Sequence, residues 1–385
     1  MLDTVREFPV IVVGGGASGL SAAAALSQRG IDAVVLEQDP ELGGTWARRY
    51  DRLHLHTVRQ FSGLAHFPIS RRYPAYLSRD DVVEYLREYA RHFGLRVVTC
   101  ATVRRIRPRG ASPERWSVEA VDGDVWHARV VVIATGQYRQ PILPPWPGRE
   151  SYEGRIAHSA AYTNATPYIG QRVLVVGAGN SGAEIATDLS DHGAASVAIS
   201  VRTAPPIVPR DPFGMPVQRT SILLSALPAT IANRLGKLTA RIVLGDLTRY
   251  GMPTGEFAPY TTKRIPVIDV GFVEALKRGR VQVRPALVRL TQTDAVFADG
   301  TSEPFDAIIA ATGFTTGLES LVDIPGVLDE RDEPRGTSGE PTAQPGLYFI
   351  GFTHSLRGHL FEANRASRRL ARNVETYLSS RSNPA

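Results

Sequence analysis

The chain of 385 residues sets 44 Lys and Arg against 38 Asp and Glu, a net charge of +6. Its length suits about two to three domains rather than one core, and its 43% hydrophobic and 21% charged shares are ordinary for a globular enzyme. No Lys/Arg block or aromatic-interleaved basic stripe suggests nucleic acid, and the mild positive excess reads as a solvated surface or as a field that draws an anionic cofactor.

Residues 8–13 form a continuous apolar run, as a buried parallel strand should. Residues 14–19 follow as a glycine-rich turn, 17–28 as an Ala-rich helix stopped by Gly30, and 32–37 as a second strand, which together make a βαβ unit. Residues 43–67 are irregular and polar. Residues 78–93 read as a helix with Ser78 as N-cap, Asp80 and Asp81 in its first turn, and Gly94 at its end. Residues 96–120 and 125–133 read as a meander of strands closing at Ala134-Thr135-Gly136. The single cysteine, Cys100, allows neither an internal disulfide nor a redox pair. It points to a reducing, cytoplasmic setting and reads as a small buried hydrophobe at a strand end.

Four prolines (141, 144, 145 and 147) make 141–148 a linker. The opening pattern then recurs as a strand at 172–176, a glycine turn at 177–182, a helix at 183–190 and a strand at 196–202. The apolar stretch 221–247, broken by Pro228, Asn233, Arg234, Lys237 and Arg241, reads as one or two amphipathic helices. Core or subunit packing is expected there, with a membrane-surface helix as the alternative. A strand at 307–310 leads into Ala311-Thr312-Gly313, an echo of residues 134–136, and a strand at 347–350 precedes a C-terminal helix from about 360 to 378. No signal peptide precedes the first strand, and no apolar run is long enough to span a bilayer.

The chemistry lies in the two glycine turns. In Gly14-x-Gly16-x-x-Gly19, Gly14 permits the tight turn, Gly16 lets the backbone approach a pyrophosphate, and Gly19 lets helix and strand pack closely. The helix N-terminus at Ala17 and Ser18 supplies free N–H groups, and Glu37, followed by Gln38, ends the next strand in place to accept from ribose hydroxyls. The second turn, Gly177-x-Gly179-x-x-Gly182, holds Asn180 and Ser181, and its next strand ends in Arg202 and Thr203 instead of an acid. A carboxylate there would repel the extra phosphate of NADP, whereas an arginine binds it bidentately. The first site therefore suits FAD and the second NADPH. Two such sites imply a relay in which NADPH reduces the flavin. Without a cysteine pair for disulfide chemistry, oxygen is the simplest remaining acceptor. No metal is expected, because no ligand cluster has the spacing.

The expected fold is α/β, with two dinucleotide-binding domains, Rossmann-like and of the three-layer ββα/αβ kind, the NADP domain inserted into the FAD domain. Residues 1–147 and 305–385 would form the FAD part, and 148–304 the NADPH part with a helical insert at about 219–250.

Between linker and second fingerprint, Tyr152-x-Gly154-x-x-x-His158-x-x-x-Tyr162 resembles the F-x-G-x-x-x-H-x-x-x-Y/F signature of class B flavin monooxygenases, with Tyr152 for the usual Phe. Baeyer–Villiger members usually end this motif in Trp, so Tyr162 favours the heteroatom-oxygenating, flavin-containing monooxygenase side. On its own His158 reads as a hydrogen-bonded loop histidine. The resemblance spans residues 11–373 through Gly43-Gly44-Thr45-Trp46, Tyr73-Pro74-Ala75-Tyr76, Gly179-Asn180-Ser181-Gly182, residues 266–271 and Ala311-Thr312-Gly313-Phe314. Within the class it is most similar to the plant YUCCA-type group, which converts indole-3-pyruvate to indole-3-acetate. Arg52-Leu53-His54-Leu55-His56 and Gln60-Phe61 carry that likeness, with Arg59 where Lys is usual.

The resemblance implies an NADPH- and oxygen-dependent FAD monooxygenase that forms a flavin hydroperoxide and oxygenates a small amine, sulfide or 2-oxo acid. The alternatives are a reductase passing electrons to a protein or quinone, and Baeyer–Villiger oxidation of a ketone. The implied cofactor contacts add Gly44, Thr45, Trp46, His54, Thr135, Gly136, His158, Thr312, Gly313, Phe352 and Thr353. His56 aligns where relatives place an Asn over the flavin, and a neutral His56 is expected to donate one hydrogen bond there. His56, Arg59, Gln60 and Asn180 are thus the catalytic candidates. The expected partners are a small substrate and oxygen, with no nucleic acid and no stable membrane insertion. A homodimer is left open.

Overall fold

The computed structural model describes residues 6–110, 115–262 and 265–380. The elements that build the sites are, in chain order, β1 (Arg6–Val13), α1 (Ala17–Ser27), β2 (Ala33–Leu36), α2 (Arg79–His92), β3 (Val125–Ile133), β4 (Arg155–His158), β5 (Arg172–Val176), α3 (Asn180–Asp191), β6 (Ser196–Ser200), α4 (Ala229–Leu244), β7 (Val267–Asp269), β8 (Ala307–Ala310), β9 (Leu347–Phe349) and α5 (His359–Ser379). The chain divides into two compact units: residues 1–47, 58–140 and 314–385, and residues 48–57 with 141–313.

In the first unit the sheet order is Arg96–Val98, β2, β1, β3, Trp116–Ala120, Val103–Pro108, with β9 also on β3. β1 runs parallel to β2 and β3, in register Val13↔Leu36 and Val13↔Ile133. β9 runs parallel to β3 with Phe349↔Ile133. Gly14, Glu37, Ala134 and Ile350 therefore leave the sheet at one edge, the carboxyl edge where parallel α/β sheets take their ligands. Alternate β1 residues feed opposite layers. Val10 and Val12 pack with Ala22, Leu26, Leu370 and Val374 of α1 and α5, and Ile11 and Val13 pack with Trp116, Trp126 and Leu321. α2 begins at Ser78 with a full capping box, in which Ser78 accepts from the Asp81 amide and Asp81 from the Ser78 amide.

Two expectations change in this unit. Arg96–Val98 is a parallel strand beside β2, not the start of a meander; it ends the βαβ walk before the antiparallel strands begin. Cys100 is exposed, with φ of 56°. The chain turns sharply there instead of continuing a buried strand.

The second unit is built on an all-parallel sheet ordered Val281–Arg284, β6, β5, β8, β4. The expected boundaries at 147/148 and 304/305 lie instead at 140/141 and 313/314. β8 pairs with β5 on one side and β4 on the other, so residues 307–310 belong to this sheet. Residues 48–57, expected in the FAD part, also fall here: the Asp51 amide donates to the Thr163 carbonyl at 2.9 Å, and Arg52 pairs with Asp191 at 2.8 Å.

The apolar stretch forms Val217–Leu224 and α4. Ala232 and Leu244 of α4 are buried while Leu238 and Ile242 are 56% and 63% exposed, so only one face of α4 follows the core-packing expectation. Among the described residues no helix is long and apolar enough to cross a membrane.

Candidate active site

Each unit contains the same strand–turn–helix junction. Gly14 has φ of 108°, and a Cβ there would lie 2.6 Å from the Ala134 carbonyl oxygen. On Gly19 a Cβ would lie 1.9 Å from the Gly14 oxygen. Gly177 has φ of 107° and would clash at 2.5 Å with the Ala311 oxygen, and Gly182 at 1.9 Å with the Gly177 oxygen. The middle glycines differ in kind: around Gly16 and around Gly179 nothing lies within 4 Å. Internal packing thus demands the first and third glycines, whereas the middle ones border open space. Both are helix N-caps without a side-chain cap, so free N–H groups face that space. A diphosphate needs this combination of room, amides and a positive dipole end, and the residues of both units fit a dinucleotide.

Around the first junction, Glu37 accepts from the Gly15 amide at 2.6 Å and the Asp39 amide at 2.9 Å. Its carboxylate is thereby held against the glycine turn at the sheet edge. Gln38 and Thr45 are exposed and Trp46 is half-buried. Gly44 has no room for a side chain, since a Cβ would lie 2.2 Å from Asp39 Oδ2. Gly351, which leads into Phe352 and Thr353, abuts Ser18 of α1 closely enough that a Cβ would lie 2.6 Å from its hydroxyl. Thr135 Oγ1 and Gln137 Oε1 are buried without a hydrogen-bond partner among the described residues, and Gly136 has φ of 77°. Such orphaned polar atoms beside the turn fit a bound cofactor. The Gln137 amide nitrogen lies 2.5 Å from His359 Nε2 at the start of α5. An amide N–H donates, so Nε2 accepts and the ring is neutral. Burial, then the charge of His354, pushes His359 down to about 4. Sequence reasoning gave neither Gln137 nor His359 a role; the signal for them was adjacency to Thr135-Gly136 and to the helix start.

Around the second junction, the Asn180 side chain donates to the Pro266 carbonyl at 3.0 Å and accepts from the Ile268 amide at 2.9 Å. It clamps α3 to β7, so its side chain, expected to be catalytic, is engaged by backbone on both sides while its own backbone lies in the turn. His158 accepts from the Ala160 amide through Nδ1 and donates from Nε2 to the Gly313 carbonyl, both at 3.1 Å. Burial keeps its pKa below the usual value. The signature histidine is therefore a brace between the end of β4 and the turn that follows β8. The Thr312 hydroxyl donates to the Ile142 carbonyl.

His54 is exposed, with Nδ1 2.8 Å from the Arg52 carbonyl, which caps its own loop. In the first unit, Arg59 donates to the Tyr73 carbonyl at 2.6 Å, and its neighbour Gln60 is exposed. His56 Nε2 lies 2.5 Å from Oε1 of Glu184, a buried carboxylate on α3 that sequence reasoning missed. Arg202 lies two residues past β6, exposed and with no ion pair among the described residues, followed by exposed Thr203.

Two dinucleotide junctions, one with a held acid at the sheet edge and one with a free arginine, define a two-nucleotide flavoprotein. Residues 8–324 match the flavin-binding monooxygenase-like family model. The chain is 36% identical over 354 residues to indole-3-pyruvate monooxygenase YUCCA1 of Oryza sativa subsp. japonica, covering 89% of this chain and 86% of that one. It is 34% identical to indole-3-pyruvate monooxygenase YUCCA6 of Arabidopsis thaliana, over 92% and 88% of the two chains. A flavin-containing monooxygenase from Stenotrophomonas maltophilia superposes with a TM-score of 0.73 at 27% identity, over 97% of this chain and all of that one. The protein belongs to the flavin-binding monooxygenase-like family and is an FAD-dependent NADPH monooxygenase.

Two outcomes follow from this geometry. Gly182→Ala should destabilise the fold by several kcal/mol, roughly the cost of core overpacking. Gly179→Ala should change stability by less than about 1 kcal/mol yet raise the KM for NADPH about tenfold or more, because its Cβ fills the phosphate space. Thermal unfolding beside steady-state kinetics separates them, and equal unfolding of both variants would contradict the reading. The lowered pKa of His359 sets a pH dependence: between about pH 6.5 and 4 the unfolded chain binds the extra proton, so stability falls as pH falls through that window. From pH 7 to 5 this amounts to about 2 kcal/mol. In urea unfolding, His359→Gln should lose that much less over the same interval.

Proposed function

We propose that this monooxygenase acts on a small 2-oxo acid of the indole-3-pyruvate kind. Oxygen, NADPH and a proton are consumed, and the shortened acid, carbon dioxide, water and NADP+ are released. The observation that carries the reading is identity of 30–36% with enzymes of that name over some nine-tenths of this chain. Solved cyclohexanone monooxygenases, at 19% identity, support only the fold.

In this reading the first unit holds FAD. The amides at Gly16–Ser18 take its diphosphate, and Glu37 takes its ribose hydroxyls. The second unit holds NADPH, with its diphosphate on the amides of Gly179–Ser181 and its 2′-phosphate on Arg202. Bound FAD, reduced by NADPH, supplies the oxygen-activating chemistry. Thr135, Gly136, Phe352 and Thr353 border the flavin side, where water must be kept out, and His56 is the group available for proton handling. A cytoplasmic setting, in keeping with a lone thiol and NADPH, belongs to the same proposal.

Purified enzyme given indole-3-pyruvate, NADPH and oxygen should yield indole-3-acetate about one-to-one with NADPH consumed. Catalase must be present, because peroxide from uncoupled turnover cleaves 2-oxo acids by itself. Product that vanishes on adding catalase would overturn the proposal. Separately, Arg202→Ala should raise the KM for NADPH about thirtyfold, the equivalent of about 2 kcal/mol for one charged bidentate contact, and leave NADH nearly unaffected. Equal effects on both cofactors would reject the role given to Arg202.

A further inference from the structure

Glu184 sits two residues past the last glycine of the second junction, and its side chain is 3% exposed. A carboxylate so buried requires partners. It has two, both from residues 48–57. His56 Nε2 lies 2.5 Å away, and the buried Tyr50 hydroxyl hydrogen-bonds to Glu184 and also to Ser181. Burial first, and then the charge of Glu184, holds the Tyr50 pKa well above its ordinary value, so this hydroxyl stays protonated and donates to the carboxylate. Ser181 lies inside the second glycine turn. A chain of contacts therefore runs from the nucleotide turn through Tyr50 and Glu184 to the His56 ring.

The contact decides the tautomer. Glu184 can only accept, so His56 carries its proton on Nε2 and exposes Nδ1, for which there is no partner among the described residues. A neutral His56 is then an acceptor at Nδ1, the reverse of the donor expected from the sequence. It donates there only as the imidazolium.

We propose that Glu184 and Tyr50 are positioning residues that fix the tautomer and orientation of His56, so that Nδ1 takes up a proton during oxygenation and returns it. The pairing is of the carboxylate–imidazole type, in which the acid orients the ring without being protonated itself. The linkage to Ser181 ties that orientation to the nucleotide turn. This rests on the reading of His56 as a catalytic residue.

The test uses the FAD-loaded full chain. In ¹⁵N-histidine spectra, the His56 signal, assigned through His56→Gln, should show Nε2–H in the parent and lose that preference in Glu184→Gln. Glu184→Gln and His56→Gln should each lower indole-3-acetate formed per NADPH at least tenfold, with the balance appearing as peroxide and the KM for NADPH changing less than about threefold. In the His56→Gln background, Glu184→Gln should have no further effect, since coupled residues are non-additive. Glu184→Asp should restore part of the coupling. Tyr50→Phe, which leaves His56 and Glu184 in place, should give an intermediate loss and serves as the second variant if Glu184→Gln does not fold.

Additive losses, or an unchanged tautomer in Glu184→Gln, would overturn the positioning role. Full coupling in His56→Gln would instead remove the catalytic reading of His56, and absence of indole-3-acetate from the parent enzyme would remove the substrate.

Discussion

Everything at these sites depends on a backbone approach that tolerates no side chain. A Cβ on Gly19 would come within 1.9 Å of the Gly14 oxygen, and a Cβ on Gly182 within 1.9 Å of the Gly177 oxygen. This contact seats the first turn of each helix directly against the end of its strand. The parallel register then sets the rest: Val13 lies level with Leu36 and Ile133, and Val176 with Ser200 and Ala310. The residues after those positions, Glu37 and Ala134 in one unit and Val201 and Ala311 in the other, emerge around the exposed helix N-terminus. If the glycine contact opened, the amides would lose their aim even with every other residue in place.

The two junctions share a backbone and differ in charge. Glu37 is occupied by two backbone amides, which fix it where a diol can share its oxygens. Arg202 has no such internal partner among the described residues. A guanidinium left unpaired at a strand end keeps its donors for an incoming phosphate, and no neighbouring carboxylate must first be displaced. In the proposed reading the same turn serves two nucleotides, distinguished by one residue at the end of the adjoining strand.

Most of this was legible in the sequence because it is local. Glycine spacing, an apolar run and a strand-end charge lie within about 30 residues of one another, and short-range sterics fix their geometry. What was not legible is what depends on distant pairing. Asn180 looked available for chemistry because nothing in its own turn engages it; the backbone that engages it, at Pro266 and Ile268, is more than 80 residues away. Residues 48–57 sit inside the first unit's stretch of sequence, yet their partners are Thr163, Glu184 and Asp191 of the second. Arg96–Val98 looked like the start of a meander because three residues carry too little pattern to reveal a parallel neighbour. Glu184 gave no signal, since a glutamate in a helix is ordinarily solvated.

Glu184 is one of three acids, with Asp188 and Asp191, spaced at i, i+4 and i+7 along one face of α3. Glu184 and Asp191 hold the segment 48–57, and Asp188 holds another piece of chain. Glu184 takes His56 and Tyr50, Asp188 takes the signature Tyr162 at 2.6 Å, and Asp191 takes Arg52 at 2.8 Å. The Arg52–Asp191 pair is partly solvated and worth little in stability. The Tyr162 hydroxyl is buried and donates to a charged acceptor, which is stronger. At Glu184 the desolvation cost of a carboxylate offsets much of what its partners return, and an apolar side chain of similar size would serve packing as well or better. What an apolar side chain could not do is choose between the two nitrogens of a histidine ring. On that ground the proposed role of the buried acid is to orient the His56 ring more than to stabilise the fold.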